Sequence, residues 1–298
     1  MSAGPPPKSP VAPETRVTKE TSRSKLLGSL RTEGLGGVLV ATISTVVVIG
    51  GLVALVINSP NWLTFKEAFF SAREFKKTFP DILHFFLHNI EIFLLLEPLI
   101  LAFALLLAIM RSLKGPVFFP LRALAIIYID FFRGIPTLLL VYLLGFGMPA
   151  LQIPGVPNSG IFWGSVALWL SYSAYVAEVY RAGIESVHSS QTAAARSLGL
   201  TRWKTLRFVV VPQAVRRVVP PLMNDFISLQ KDTALLSIVA GQFGEAFSQG
   251  QIWKASDFNF TPILGVALCF LVITVPMTRF TDHRLERQRR RRMAGAAL

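Results

Sequence analysis

Residues 174–236 read AYVAEVYRAGIESVHSSQTAAARSLGLTRWKTLRFVVVPQAVRRVVPPLMNDFISLQKDTALL, and the order of residue types in that stretch decides the fold class. An apolar segment gives way to a short, basic, Ala-rich helical patch, and Pro212 announces a second apolar segment. Between the apolar flanks stand Arg181, Arg196, Arg202, Lys204, Arg207, Arg216 and Arg217. A cationic connection between two hydrophobic spans is retained on the cytoplasmic side of a bilayer. The patch reads as a docking platform for a cytoplasmic partner.

The whole chain supports a membrane reading. Of its 298 residues, 52% are hydrophobic and only 16% charged, with a mean hydropathy of +0.52. A soluble domain carries about 25% charged residues, so this chain falls short of solubilising its own surface. The net charge of +13 and pI near 10.4 invite a nucleic-acid reading. The charges cluster at the tails and between apolar runs, as the positive-inside bias requires, rather than along one amphipathic face. The single cysteine, Cys269, lies in an apolar run, which leaves no internal disulfide to form.

Taken in order, residues 1–33 are rich in Pro, Ser, Thr and charge and read as a disordered cytoplasmic tail. Residues 34–57 form an extra N-terminal transmembrane helix, uncharged from 38 to 57 and about the 20 residues that a span needs. Lys19, Arg23, Lys25 and Arg31 precede it, so it runs from inside to outside. In residues 58–88, Trp62, Phe65, Phe69, Ala72, Phe75 and Phe79 recur at helical spacing among Lys, Arg and Glu, which predicts an amphipathic helix lying on the outer surface. Residues 89–281 form the main membrane domain. Its spans are expected at 90–110, within 121–151, and at 161–180, 215–239 and 262–280, with a cytoplasmic loop at about 182–213. The span within 121–151 starts at DFFRGIP, which holds Asp130, Arg133, Gly134 and Pro136 near the cytoplasmic border. The run HRLERQRRRR, within the basic tail 282–298, is expected inside. The fold is therefore all-α and polytopic, with about six transmembrane helices and both termini cytoplasmic.

No catalytic constellation stands out. His84 and His88 share a helical face but lack the glutamate of a metalloprotease motif, and they read as interfacial histidines rather than metal ligands. GLTRWKT at 199–205 echoes a phosphate loop, yet Trp203 occupies the position where that loop needs glycine. Intramembrane charge remains. Such residues are expensive in lipid and face the protein interior or water. Arg133 beside Asp130 or Glu178 looks like structural pairing. Glu97, next to Pro98, and the group Asp225, Lys231 and Asp232 are candidates for a polar translocation path.

The central stretch also resembles the membrane-spanning subunits of ATP-binding-cassette importers for polar amino acids. That family carries a signature of Glu-Ala-Ala, three residues, Gly, nine residues and an apolar-x-apolar-Pro ending. Ala194, Ala195, Gly199, Val209, Val211 and Pro212 stand at the matching places, while Ala193 replaces the signature glutamate. FFRGIPTLL, SAYVAEVYRAGIESV, PQAVRR and FISLQKDTALLS are similar to the same branch, and the glutamate/glutamine type looks closest. The resemblance covers roughly 91–280. It implies a type I importer fold in a bacterial inner membrane and short coupling helices seated in a groove of a separate ATPase. Ala194, Ala195, Arg196, Gly199, Leu200, Arg202, Trp203 and Pro212 would make that contact, with Gly199 turning the chain sharply between two helices. It further implies a second permease subunit, identical or related, and an extracytoplasmic substrate-binding protein. ATP and Mg would be bound by the partner, leaving this chain without catalysis or cofactor. The alternative is an ion-coupled secondary amino-acid carrier using Glu97 or Asp225 as its ion site.

Overall fold

The computed structural model describes residues 34–241 and 244–296, and every regular element among them is helical. The tail expected at 1–33 lies outside the described residues, as do the side chains of the arginine run beyond 287. The chain divides between Leu63 and Thr64 into two units.

The first unit is built on α1 (Gly34–Ile57), a 24-residue helix without a charged residue. At 1.5 Å per residue it extends about 36 Å, enough to cross a hydrocarbon core of about 30 Å. Its hydroxyls are satisfied inside the helix. Thr42 donates to Val38 O at 2.8 Å and Thr45 to Ala41 O at 2.7 Å, so none needs water at depth.

The second unit begins within α2 (Trp62–Phe69) and continues through α3 (Ala72–Ser112), α4 (Phe119–Gly134), α5 (Thr137–Ala150) and α6 (Gly160–Glu185). Two short helices, α7 (Ser189–Ser197) and α8 (Arg202–Thr205), follow, then a π segment (Leu206–Val210) and α9 (Val211–Asp232). A 3-10 turn (Thr233–Ile238), α10 (Ala246–Asp257) and α11 (Thr261–Ala296) complete it.

Helix α3 corrects one sequence expectation. The amphipathic stretch at 58–88 is not a separate surface helix ending before the second span. After a break at Phe70 and Ser71, one helix of 41 residues runs from Ala72 through the apolar stretch, with Pro80 and Pro98 inside it. The reason lies in its buried face. Ile82, Phe86, Asn89, Leu96, Ile100, Ala104 and Leu107 keep one helical stripe in register, so no point along the chain favours a turn. Each proline removes one backbone hydrogen bond without stopping the helix.

The stretch 121–151, within which the third span is expected to start at DFFRGIP, is two helices, α4 and α5, bent by 99° at that run. Gly134-Ile135-Pro136 makes the corner: a residue before proline is pushed out of the helical region, and Ile135 is extended at φ −100°, ψ 131°. The fifth expected span starts earlier than its expected residue 215, and α9 runs through Pro220 and Pro221 without interruption.

Helices occupy all six expected positions, but not all are apolar enough to cross a membrane unaided. Gly37–Ile57, Trp62–Ser112 and Thr261–Arg287 meet that standard, and the bent α4–α5 pair makes a fourth if it counts as one span. By contrast, α9 carries Arg216, Arg217, Asp225, Lys231 and Asp232, and α6 is rich in Ser, Tyr and Gly. Helix α6 is the hub. Its Ala167, Leu168, Tyr172, Val176 and Ala177 pack with Leu96 and Ile100 of α3, Ile129 of α4, Val141 of α5 and Leu229 of α9. A helix covered by protein has no need of a lipid-facing apolar surface.

The end of the unit opposite α7 and α8 is closed by a buried polar knot. The Glu245 carboxylate accepts from Ser248 N at 2.7 Å, Phe247 N at 2.9 Å and Asn89 Nδ2 at 3.1 Å, capping α10. Asn89 also donates to Thr233 Oγ1 at 3.1 Å and accepts from Ala246 N at 3.0 Å. Ser248 returns the cap by accepting from Glu245 N at 3.3 Å. A capping box thus ties α3, the 3-10 turn and α10 together. Beside it, Ile82 and Phe86 pack on Ala246, Val266 and Cys269. Nearby, Lys77 donates to Asp257 at 2.7 Å and holds that carboxyl below the usual carboxylate range.

Glu245→Ala leaves several buried donors unpaired, so it is expected to destabilise the purified chain by about 3 kcal/mol. Glu245→Gln, which keeps an acceptor, should cost less. Thermal melting in detergent measures both, and an unchanged melting temperature in Glu245→Ala would remove the knot from any stabilising role.

Candidate functional site

The basic elbow is a compact structure held by local capping. Helix α6 stops at Glu185, and Arg217 of α9 reaches back to donate to Ser186 O. His188 caps α7, its Nδ1 accepting from Ser190 N at 3.3 Å. At the other end Gly199 takes φ +82°, and Leu200 N donates to Ala195 O at 3.2 Å. This is the glycine-terminated helix end in which only a residue without Cβ is unstrained. Thr201 then caps α8 by accepting from Lys204 N at 3.3 Å. The π segment leads into α9, with Pro212 in its first turn.

The elbow turns few side chains inward and many outward. Ala195 and Thr205 are buried, and Val187, Val210 and Ala214 form a small apolar cluster beneath. Facing out are Leu198 at 84% exposure, Trp203 at 68% and Phe208 at 63%. Ala194, Arg196, Gly199, Arg202 and Pro212 are exposed around them, and Leu200 is half-buried. Exposed large apolar residues among cations make a surface suited to another protein. Leu198 and Phe208 were missed from sequence because helical periodicity cannot tell which side of so short a helix is covered.

Just above the elbow, α6 and α9 nearly touch. A Cβ on Gly183 would run into the side chain of Val218 and come within 3.5 Å of Ala214 O. An ion network braces this end. Arg111, at the end of α3, pairs with Glu178 at 2.9 Å, and Arg181 pairs with both Glu178 and Glu185. The expected pairing of Arg133 with Asp130 or Glu178 is not what holds this corner. Arg133 is exposed and lies 5.8 Å from the Tyr175 ring centroid. Arg111 wins Glu178 because α3 and α6 run side by side to this level, whereas Arg133 sits at the α4–α5 corner.

Deeper in the bundle, three of the four path candidates come together. Glu97 Oε1 and Asp225 Oδ2 are buried without a hydrogen-bond partner among the described residues, and the two carboxyls are within electrostatic reach of each other. Asp232, seven residues after Asp225 and therefore on the same face of α9, accepts from Tyr172 Oη at 2.8 Å. Lys231 is exposed and lies within electrostatic reach of Asp232 at the edge of this acidic group. Tyr172 was not singled out from sequence; a hydroxyl tip within an apolar helix was its only signal. His84 and His88 have ring centroids 5.3 Å apart, and among the described residues no three metal-ligating side chains converge.

Residues 100–290 match the family described as "Binding-protein-dependent transport system inner membrane component". The probable glutamine ABC transporter permease protein GlnM of Bacillus subtilis is 38% identical over 175 residues, covering 57% of this chain and 79% of that one. The glutamine transport system permease protein GlnP of Escherichia coli K12 is 33% identical over 165 residues, 55% of this chain and 74% of that one. Among solved structures, the crystal structure of an amino acid ABC transporter with histidines superposes with a TM-score of 0.62 at 29% identity, covering 70% of this chain and 94% of that chain.

The α6–α9 contact yields a compensation test. Gly183→Val should destabilise the purified chain by about 1–3 kcal/mol through overpacking against Val218. Val218→Ala, added to it, should recover most of the lost melting temperature. A double variant no more stable than Gly183→Val alone would show that the strain lies elsewhere.

Proposed function

The chain belongs to the family of binding-protein-dependent transport system inner membrane components, and from that premise we propose how it works. It is a multi-pass permease subunit in a bacterial inner membrane, serving an ATP-driven amino-acid importer, and is not itself catalytic. We assign it a polar amino acid as cargo, glutamine or glutamate, on the strength of the relatives' names. Both termini lie in the cytoplasm in this reading. ATP and Mg are bound and hydrolysed by partner ATPase subunits, and an extracytoplasmic binding protein delivers the cargo. A second permease subunit, identical or related, completes the path with this one. The ion-coupled carrier alternative is not favoured, because the relatives are ABC transporter permeases.

The observation that carries the coupling role is the exposed apolar and cationic face of α7 and α8, with Leu198 and Trp203 outermost. That face seats in a groove of the ATPase subunit, where Arg196 and Arg202 meet acidic or carbonyl acceptors. Ala194 allows close approach from outside, and the buried Ala195 keeps α7 close to the chain beneath it. Ala193 is exposed beside Ala194, so the missing signature glutamate removes a charge from the docking face and leaves its packing intact. Closure of the ATPase pair on ATP moves the elbow. Arg217 on Ser186 O, together with the Gly183–Val218 approach, passes the motion to α6 and α9. These helices carry Tyr172, Asp225 and Asp232, so motion at the elbow reaches the acidic group directly. Such coupling needs an element with two states that nucleotide biases.

Glu97 and Asp225 give the path two polar stations. Unpaired carboxyl oxygens inside a membrane bundle are costly unless something polar visits them, and the α-ammonium of an amino acid is a fitting visitor.

Two experiments test this reading in proteoliposomes holding the permease, its ATPase and the binding protein. Gly199→Trp forces a bulky side chain into a left-handed turn and should cut uptake about tenfold or more, equivalent to about 1.4 kcal/mol of docking free energy. Uptake at the wild-type rate would count against the elbow as coupling element. The pair Glu97→Gln with Asp225→Asn should cut uptake by a similar factor while binding-protein-stimulated ATP hydrolysis persists. Normal uptake by that pair would place the path elsewhere.

A further inference from the structure

At the end of the bundle opposite the elbow lies an open apolar groove of about 560 Å³. One wall is Phe70 and Phe75, from the α2–α3 junction and the first turn of α3; the other is Leu264, Leu268 and Leu271 on α11. From Thr261 to Leu271 the groove follows ten residues of helix, a length of about 15 Å. Its two ends differ. At the Thr261 end the polar groups are Ser71, Thr261 and Lys76. Ser71 and Thr261 are already engaged, Ser71 N donating to Thr261 Oγ1 at 3.0 Å, whereas the Lys76 side chain is exposed on the rim. Lys66, one turn before Phe70 in α2, is also exposed. Toward Leu271 the groove opens onto the exposed apolar residues Leu271, Val272 and Val275 of α11, a surface that faces hydrocarbon in a spanning helix.

A channel that is cationic at its membrane-border end and purely apolar toward the membrane centre has the polarity of a phospholipid. We propose that this groove seats one acyl chain of an anionic phospholipid from the leaflet opposite the elbow, with the Lys76 ammonium on its phosphate. Charge complementarity at the rim and continuity with the lipid-facing side of α11 select this occupant. Each buried methylene contributes about 0.8 kcal/mol, so the tail supplies retention. The ammonium supplies preference for a headgroup with net negative charge. The lipid then bridges the start of α3 and the start of α11.

The test uses the full-length chain in nanodiscs of dioleoylphosphatidylglycerol and dioleoylphosphatidylcholine in equal amounts, released into mild detergent for native mass spectrometry. Wild type is expected to keep one bound phosphatidylglycerol in preference to phosphatidylcholine. Ala267→Trp, which fills the groove, should lower that retention about tenfold, the equivalent of fewer than two buried methylenes. Lys76→Glu, an exposed change that leaves the fold intact, should keep a lipid but lose the preference for phosphatidylglycerol. Retention unaffected by Ala267→Trp overturns the proposal, and so does an unaltered headgroup preference in Lys76→Glu. A disulfide between Ala267→Cys and Gly50→Cys, with no lipid retained by wild type, also overturns it by giving the groove to the first helix. If Ala267→Trp does not fold, the Lys76→Glu preference decides alone.

Discussion

Apolar side chains gain nothing by moving from lipid to protein, so helices in a bilayer are held by close packing and by hydrogen bonds that lipid cannot replace. Helix α6 meets that constraint by keeping side chains small where neighbours approach. A Cβ on Gly164 would lie 2.8 Å from Leu236 and 3.0 Å from Val239, and one on Gly145 in α5 would meet Val239 as well. Val239 thus occupies the space that two absent side chains vacate. The same device recurs at Gly183 against Val218, at the far end of the helix. Between these points Ser171 exchanges a hydrogen bond with Thr137 at 2.9 Å, and Tyr128 donates to Leu170 O at 2.9 Å. With α6 fixed at both ends and stitched in the middle, the acidic group and the elbow share one rigid rod.

The rod is not braced equally along its length. The core around Leu168 and Ile100 is continuous and draws on five helices and the 3-10 turn, whereas the apolar cluster beneath the elbow is the small one of Val187, Val210 and Ala214. Capping by His188 and Thr201, rather than burial, shapes α7 and α8. A segment with few buried apolar contacts opens or shifts at lower cost than the core it is attached to. The weakly packed part is therefore also the part offered to a partner, and the Arg111–Glu178–Arg181 network separates it from the well-packed part.

Much of this was legible in the sequence because a bilayer leaves few options. A run of arginines between apolar segments has one acceptable side, and Gly199 followed by Thr201 announces a stop and a restart. The corner at Gly134-Ile135-Pro136 was visible as a motif, although its angle was not. Other features required long-range pairing that no local pattern encodes. Asn89 looks like an isolated polar residue until Glu245, 156 positions later, is brought beside it. Arg111 reads as a topology signal until α6 places Glu178 within reach. The unity of α3 was hidden for a different reason. Charged residues on its exposed side imitate a surface helix, while the stripe that keeps it continuous is spread over seven positions among apolar neighbours. Of the path candidates, Lys231 is the exposed one, because a helix turns adjacent residues about 100° apart and Asp232 takes the inward position beside it.

The π segment at Leu206–Val210 has a geometric result of its own. A wide turn accommodates one residue more than an α-helix of the same rise, and one residue is worth roughly 100° of azimuth. The side chains of α8, Trp203 among them, are accordingly rotated by that amount relative to α9 from where an unbroken helix would aim them. Shortening the chain by a single residue here would leave both helices intact yet swing the tryptophan off its present bearing, so this spot tolerates substitution far better than it tolerates a change in length.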